Sequence, residues 1–561
     1  MFKQFQLLFL LLLAHQFTFA QEGFTFESEV KPVIKGTLQG YDAEADANLS
    51  IRATLVVPTP QGQVSKKVVI QPDGTFELTL DHPVSNRQIW FTVGDYYYGQ
   101  LLFSEEVIIT LDLAKLKKKD KEYFHSKHVQ FSGKDGPLTA YVNQFTTYRQ
   151  SQRYEPYKAL RKARRDESKS IEERLAQMRI HQTEVMQLRE DFIKKNPSKY
   201  SWVLKNEALS NFYEKVCFLY LREQMPEDLL KEVLAHEPKF ISNDGTSYYR
   251  ALGFYFQAMN QQAYADNYKD KVLPIIKDPS ERQRFLNFLS LFQANIDGEI
   301  YDEKRFNQDA RYFYKIYKEE VTKGQHQYFA DRLQKQGLST EKEALVIANY
   351  GSDDIWQQDL YFSVLISHVK SNWVLKLIQR EWAKSNSIIE QVNRELAAID
   401  ITGQEAKLGI PKGKLDNGTE FYVPDQTELL DLIAAIRTEH PGKAIILDFW
   451  ATWCGPCIGD MKNPDSAINK KKLKEMGVEV IYLCTSSGSK EDTWKKKVTE
   501  LNMAPGQHLY LNDKLASEML TYFQLSGYPS YVFLDANGNY KPDVVTRIYN
   551  IDLEKVKKNI R

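Results

Sequence analysis

Two thiols separated by two residues, Cys454 and Cys457 in Trp453-Cys454-Gly455-Pro456-Cys457, are the strongest chemical signal in the chain. Such a pair can close a small disulfide. It follows a continuous apolar stretch, Ile445 to Trp450, and opens a helical pattern. Exposed amide groups at a helix start favour a negatively charged sulfur, so Cys454 is the expected nucleophile. Its thiolate would attack a disulfide, and Cys457 would resolve the mixed disulfide from within the same chain. Cys-x-x-Cys also supplies half of many zinc centres. Here His508 is the only histidine after the motif and Cys484 stands alone, so neither a metal nor any other cofactor is expected beyond the redox-active disulfide itself.

The elements that must position this pair form an alternating strand and helix pattern over residues 401–561, which reads as an α/β domain. Strands are expected at Lys443 to Phe449, Val478 to Cys484, Gln507 to Leu511, Tyr531 to Leu534 and Val544 to Tyr549. Helices are expected at Pro456 to Lys474, Asp492 to Leu501, Lys514 to Phe523 and from Asp552 onward. Asp448 lies inside the apolar strand, where a carboxylate is costly unless hydrated, paired or partly protonated. A carboxylate at a strand end facing water is the alternative.

Ahead of this domain the sequence divides in two. Residues 21–115 carry short β-branched and aromatic runs separated by Pro58, Pro60, Pro72-Asp73-Gly74 and Gly94-Asp95, the pattern of a small antiparallel β-sandwich. Residues 116–400 are helical with linkers, the first linker being the charge run Lys115 to Lys121 with Gly133 to Pro137. One long helix is expected from Tyr157 to Lys195, stopped by Pro197. The fold class is therefore multidomain: sandwich, central helical region and C-terminal α/β domain. At 561 residues, three or four folding units are expected. Residues 1–20 read as a signal peptide, with Lys3, the apolar run Leu7 to Leu13 and Thr18-Phe19-Ala20 before Gln21. A soluble periplasmic protein follows, with an uncleaved membrane anchor as the alternative. Lys plus Arg and Asp plus Glu both number 74, so no global field draws the chain to nucleic acid.

The segment Leu447-Asp448-Phe449-Trp450-Ala451-Thr452-Trp453-Cys454-Gly455-Pro456-Cys457 resembles the active-site segment of the thioredoxin superfamily, and its branch resembles the TlpA-like exported thiol-disulfide oxidoreductases. A short hairpin around Leu415-Asp416-Asn417-Gly418 and a turn at Asp535 to Gly538 are similar to that branch, over about residues 405–561. The resemblance implies a thioredoxin-like fold in which Cys454 attacks, Cys457 resolves and Asp448 accepts or returns a proton. It implies a cis peptide before Pro529 in Gly527-Tyr528-Pro529-Ser530, with the Tyr528 backbone pairing an extended substrate and Trp453, Gly455 and Pro456 lining its path. Asp460 stands where the branch usually carries Glu, and Thr419 to Gly442 is longer than its norm. Neither departure is expected to touch the redox pair; both bear on partner choice.

Cys217 and Cys484 read as buried inert thiols, with a bridge between them left open. The expected activity is protein-disulfide reduction or exchange on cysteine-containing exported proteins, haem-attachment cysteines included, with a membrane protein as electron donor. A thiol peroxidase, and a binding or assembly protein whose N-terminal domains carry the function, are the alternatives. Oligomeric state is not legible.

Overall fold

The computed structural model describes residues 26–561 apart from 61, 82–83, 119, 153–155, 259, 351–359, 362, 402–406, 502–504, 526 and 543. The expected signal peptide lies outside the described residues.

Alternating burial along β1 (Val33–Gln39) turns Ile34 and Leu38 inward and leaves the intervening residues half-exposed. Gly36 shares that inner face. A Cβ there would sit 2.3 Å from the Phe76 ring and 2.5 Å from the Ile109 carbonyl, so only glycine admits this packing. Six further strands follow: β2 (Ile51–Val56), β3 (Gln63–Val68), β4 (Thr75–Thr79), β5 (Arg87–Val93), β6 (Tyr97–Phe103) and β7 (Glu106–Asp112). With β8 (Glu122–Tyr123) and β9 (Val129–Ser132), two sheets result, in the orders β4-β1-β7-β9 and β3-β2-β5-β6-β8, and they pack on a shared core of Ile51, Phe91, Leu101, Val107 and Ile109.

Two expectations change here. The sandwich does not end at residue 115, because β8 (Glu122–Tyr123) and β9 (Val129–Ser132) add one strand to each sheet. Nor is it wholly antiparallel: β1 pairs parallel with β7, and β6 with β8. Beyond Tyr98, no strand among the described residues pairs with the free side of β6. Instead the helix Gly136–Gln150 lays Thr139 and Asn143 along it, and these side chains exchange bonds with the backbone of Leu102 and Gln100 at 2.6–3.1 Å. Side chains thus satisfy an edge that would otherwise be open to pairing.

The helical region shares one apolar cluster with the sandwich, Phe26, Val56 and Val84 packing with Phe212, Tyr248 and Leu252. The helix expected from Tyr157 to Lys195 is two, Pro156–Arg164 and Ile171–Lys195. The break is sequence-encoded, since Ser170 and Glu173 form a reciprocal capping box at the second start. A last helix, Asn372–Ala397, drives Val392 and Leu396 into the C-terminal core, and Asn393 accepts from the Tyr540 amide at 2.7 Å.

The C-terminal sheet has the order β10-β11-β14-β13-β12-β15. Its strands are β10 (Ile410–Lys414), β11 (Glu420–Val423), β12 (Ala444–Trp450), β13 (Val478–Thr485), β14 (Gln507–Leu511) and β15 (Ser530–Leu534). β12 lies between parallel β13 and antiparallel β15 and is buried along its whole length. Ile445, Leu447 and Phe449 pack on one face with Leu432, Leu515 and Met519. Ala444, Ile446, Asp448 and Trp450 alternate onto the other.

The expected helix Pro456 to Lys474 is interrupted, running Gly455–Lys462 and then Pro464–Glu475. Pro464 lacks the N–H that a continuous helix needs, and Asn463 caps the second piece through the Asp465 amide at 3.0 Å. Val544 to Tyr549 is not a strand. Its apolar residues do pack, Val544, Val545 and Ile548 being buried. Its backbone is held by side chains instead of a ladder: Asp460 accepts from the Ile548 and Tyr549 amides, and Asn469 donates to their carbonyls.

Candidate active site

Where β12 ends, Ala451-Thr452-Trp453 turns the chain into the helix Gly455–Lys462, and Cys454 is that helix's N-cap. The Cys457 amide donates to Cys454 Sγ at 3.2 Å, and Pro456 occupies a first-turn position where a missing N–H costs nothing. A backbone donor and the helix N-terminus therefore both point at the sulfur that must carry negative charge. The two cysteines are bridged, with Cα atoms 5.3 Å apart. Both are recessed, Cys454 retaining 3% exposure and Cys457 1%. Trp453, at 56%, stands out beside them with Gly455 and Pro456.

The Tyr528–Pro529 bond is cis. The Tyr528 ring stacks on Phe449 at 6.1 Å and meets Trp453 edge-on at 5.9 Å, joining the end of β12 to the rim of the dithiol. Behind Trp453 runs the loop after β13. Ser489 Oγ accepts from the Thr452 amide at 3.2 Å, and the Ser487 carbonyl accepts from the Trp453 indole at 2.8 Å.

Asp448, 2% exposed, shares the face of β12 with Trp450, which packs in one cluster with both cysteines, and has Tyr482 and Tyr531 opposite it on the flanking strands. Its Oδ1 is buried and receives no hydrogen bond from a described residue. Burial pushes the carboxyl up to about 7; the Asp460 charge adds to this, while Lys470 and Arg547 oppose it. Of the sequence alternatives, the strand-end carboxylate facing water is therefore ruled out. Asp460 is also buried, accepting from Ser466 Oγ at 2.7 Å and from the Tyr531 hydroxyl. The departure at Asp460 therefore lies in the interior, next to Tyr531, and not on the outer surface of the domain. Lys470, also buried, places its ammonium 4.8 Å from the Tyr482 ring centroid. Sequence reasoning missed Lys470, which sits in an ordinary lysine run, and the signal that finds it is its register against Asp448 across the covered face.

Cys217 and Cys484 are free and buried, which removes the bridge between them. Burial raises both thiols far above the usual range, so neither is a second nucleophile. Among the described residues no cluster of His, Cys, Asp and Glu could hold a metal, and no helix is long and apolar enough to cross a membrane.

Residues 422–554 match the family model described as Redoxin. A 66-residue stretch, 12% of this chain, is 33% identical to the thiol-disulfide oxidoreductase ResA of Oceanobacillus iheyensis and spans 33% of that protein, about a third of its length. Among solved structures, the thioredoxin domain of a thiol-disulfide oxidoreductase from Bacteroides vulgatus is similar at 20% identity over 22% of this chain and 79% of its own, with a TM-score of 0.18. A thioredoxin-family thiol:disulfide interchange protein from Chlorobium tepidum is similar at 20% identity over 22% of this chain and 85% of its own, with a TM-score of 0.19. The match to the Redoxin model falls on the C-terminal α/β domain, which follows a β-rich and a helical region in a multidomain chain.

Proposed function

We propose that this protein is an exported thiol-disulfide oxidoreductase that reduces or exchanges disulfides of cysteine-containing proteins outside the inner membrane. The observation that carries the reading is the bridged pair at a helix N-terminus that follows a strand carrying a buried carboxylate, with Cys454 Sγ accepting the Cys457 amide. In the reduced protein the Cys454 thiolate attacks one sulfur of a client disulfide, and the other leaves as a thiolate. Asp448 takes the proton of Cys457, whose thiolate then attacks Cys454 Sγ, releasing the second client thiolate and closing the 454–457 disulfide. Two electrons pass to the client, whose two thiolates take up protons. A membrane dithiol protein is the class of reductant that restores the pair. The Gly-Pro dipeptide between the cysteines favours the reducing direction, and the apolar run at residues 7–13 supports export. Haem-attachment cysteines belong to the client class this reading admits.

Purified protein supplied with a dithiol is expected to precipitate insulin chains by reducing their disulfides. Equal activity of wild type and Cys454→Ser would refute the assignment.

A further inference from the structure

Trp453 is exposed but not loose, because its indole is tied to the Ser487 carbonyl, and the loop carrying that carbonyl is gripped from another domain. The Gly488 amide donates to Asp95 Oδ1 at 3.3 Å. Lys121 Nζ donates to Ser487 Oγ at 3.3 Å and to the Gly94 carbonyl at 3.0 Å. Asp95 sits in the turn between β5 and β6, and Lys121 immediately precedes β8, so both belong to the sandwich. Gly488 has φ +67°, and a Cβ there would lie 2.8 Å from Trp453 Nε1, so loop and indole are packed without slack. The same sheet holds the C-terminal domain at a second place, where Lys67 Nζ meets Glu518 Oε1 at 2.9 Å and Ser50 bonds Asp513. Arg52 pairs with Lys67 in the ladder and is an electrostatic neighbour of Tyr528.

We propose that the β-sandwich completes the rim of the dithiol site, with Asp95 and Lys121 as positioning residues that fix the Ser487–Gly488 loop and, through it, the Trp453 surface on which a protein client lies. The proposal rests on Cys454 being the nucleophile and deepens that reading. A small disulfide needs only a path to the Cys454 sulfur. A polypeptide must also lie against Trp453 and Tyr528, so misplacing Trp453 weighs on protein clients more than on small ones.

The test uses the full chain with two disulfides, insulin and the small aromatic disulfide 5,5′-dithiobis(2-nitrobenzoic acid). Asp95→Ala is expected to raise KM for insulin about fivefold relative to any change with the small disulfide, the equivalent of one hydrogen bond, while kcat for insulin stays within about twofold. Asp95→Asn keeps an oxygen acceptor for the Gly488 amide and is expected to recover most of the loss. Should Asp95→Ala not fold, Lys121→Met carries the same comparison with an expected ratio of about two to three. Proportional losses on both disulfides, or an Asp95→Asn as impaired as Asp95→Ala, would overturn the proposal. A wild type that turns over both disulfides with Asp95→Ala matching it sinks this inference alone. A wild type no better than Cys454→Ser sinks the redox reading and this inference together.

Discussion

The floor and the rim of the dithiol site are built in different ways. On the floor of the site, Asp448, Asp460 and Lys470 all come from the C-terminal domain and are shut away from solvent by its own sheet and helices, with the half-buried Tyr531 bonded to Asp460. Around the sulfurs, Trp453 leans on a loop that the sandwich holds from outside. The chemistry is thus a property of one fold, whereas access is a property of the junction between two. Low dielectric serves the first, since a carboxyl must be desolvated to hold its proton near neutral pH. Solvent contact serves the second, since a client must reach the sulfur.

The largest effect is expected at the pair itself. Cys454→Ser should lower insulin reduction by about a thousandfold or more, and Cys457→Ser should accumulate mixed disulfides visible on non-reducing gels. Asp448→Asn comes next. Proton acceptance needs the ionised carboxyl, so the wild-type rate should rise with pH through about 7, and the variant should be slower by roughly a hundredfold with that rise lost. Stability should move the other way. Because the folded value is raised above that of the unfolded chain, Asp448 favours the folded state at low pH, and this contribution is lost as pH rises from 3.8 through about 7. Asp448→Asn should therefore melt higher than wild type at pH 8, with the difference vanishing near pH 4.

A smaller change sharpens the floor. Asp460→Asn removes a negative neighbour of Asp448, so the pH midpoint of insulin reduction should fall, and the altered contacts to Tyr531 and residues 548–549 should cost about 1–2 kcal/mol in urea unfolding. At the rim, Gly488→Ala should cost about 1 kcal/mol from its positive φ and should displace the indole of Trp453, read as a faster reaction of that ring with a tryptophan-modifying reagent.

Local spacing made much of the site legible. Cys-Gly-Pro-Cys after an apolar strand placed the nucleophile, the resolving thiol and Asp448 on adjoining elements. What stayed hidden depends on long-range register. Lys121 lies at the end of a lysine-rich run that reads as solvated linker, yet its ammonium bonds a residue 366 positions away. Asp460 reads only as a departure from the Glu usual at that position; the fold turns it inward onto Tyr531. The run from Val544 to Tyr549 has the apolar content of a strand, but content does not reveal that Asp460 and Asn469 have taken over its backbone groups.

The side-by-side placement of β1 and β7 has a bearing on how the molecule comes into being. A ribosome delivers the amino end first, and the inner strand of the four-stranded sheet finds its parallel neighbour only once residue 112 has been made. Once β8 and β9 have followed, by residue 132, the sandwich can stand finished while more than three hundred residues are still to come before the dithiol exists. The dithiol domain is made after the sandwich, into the company of a ready-made neighbour on which it can dock.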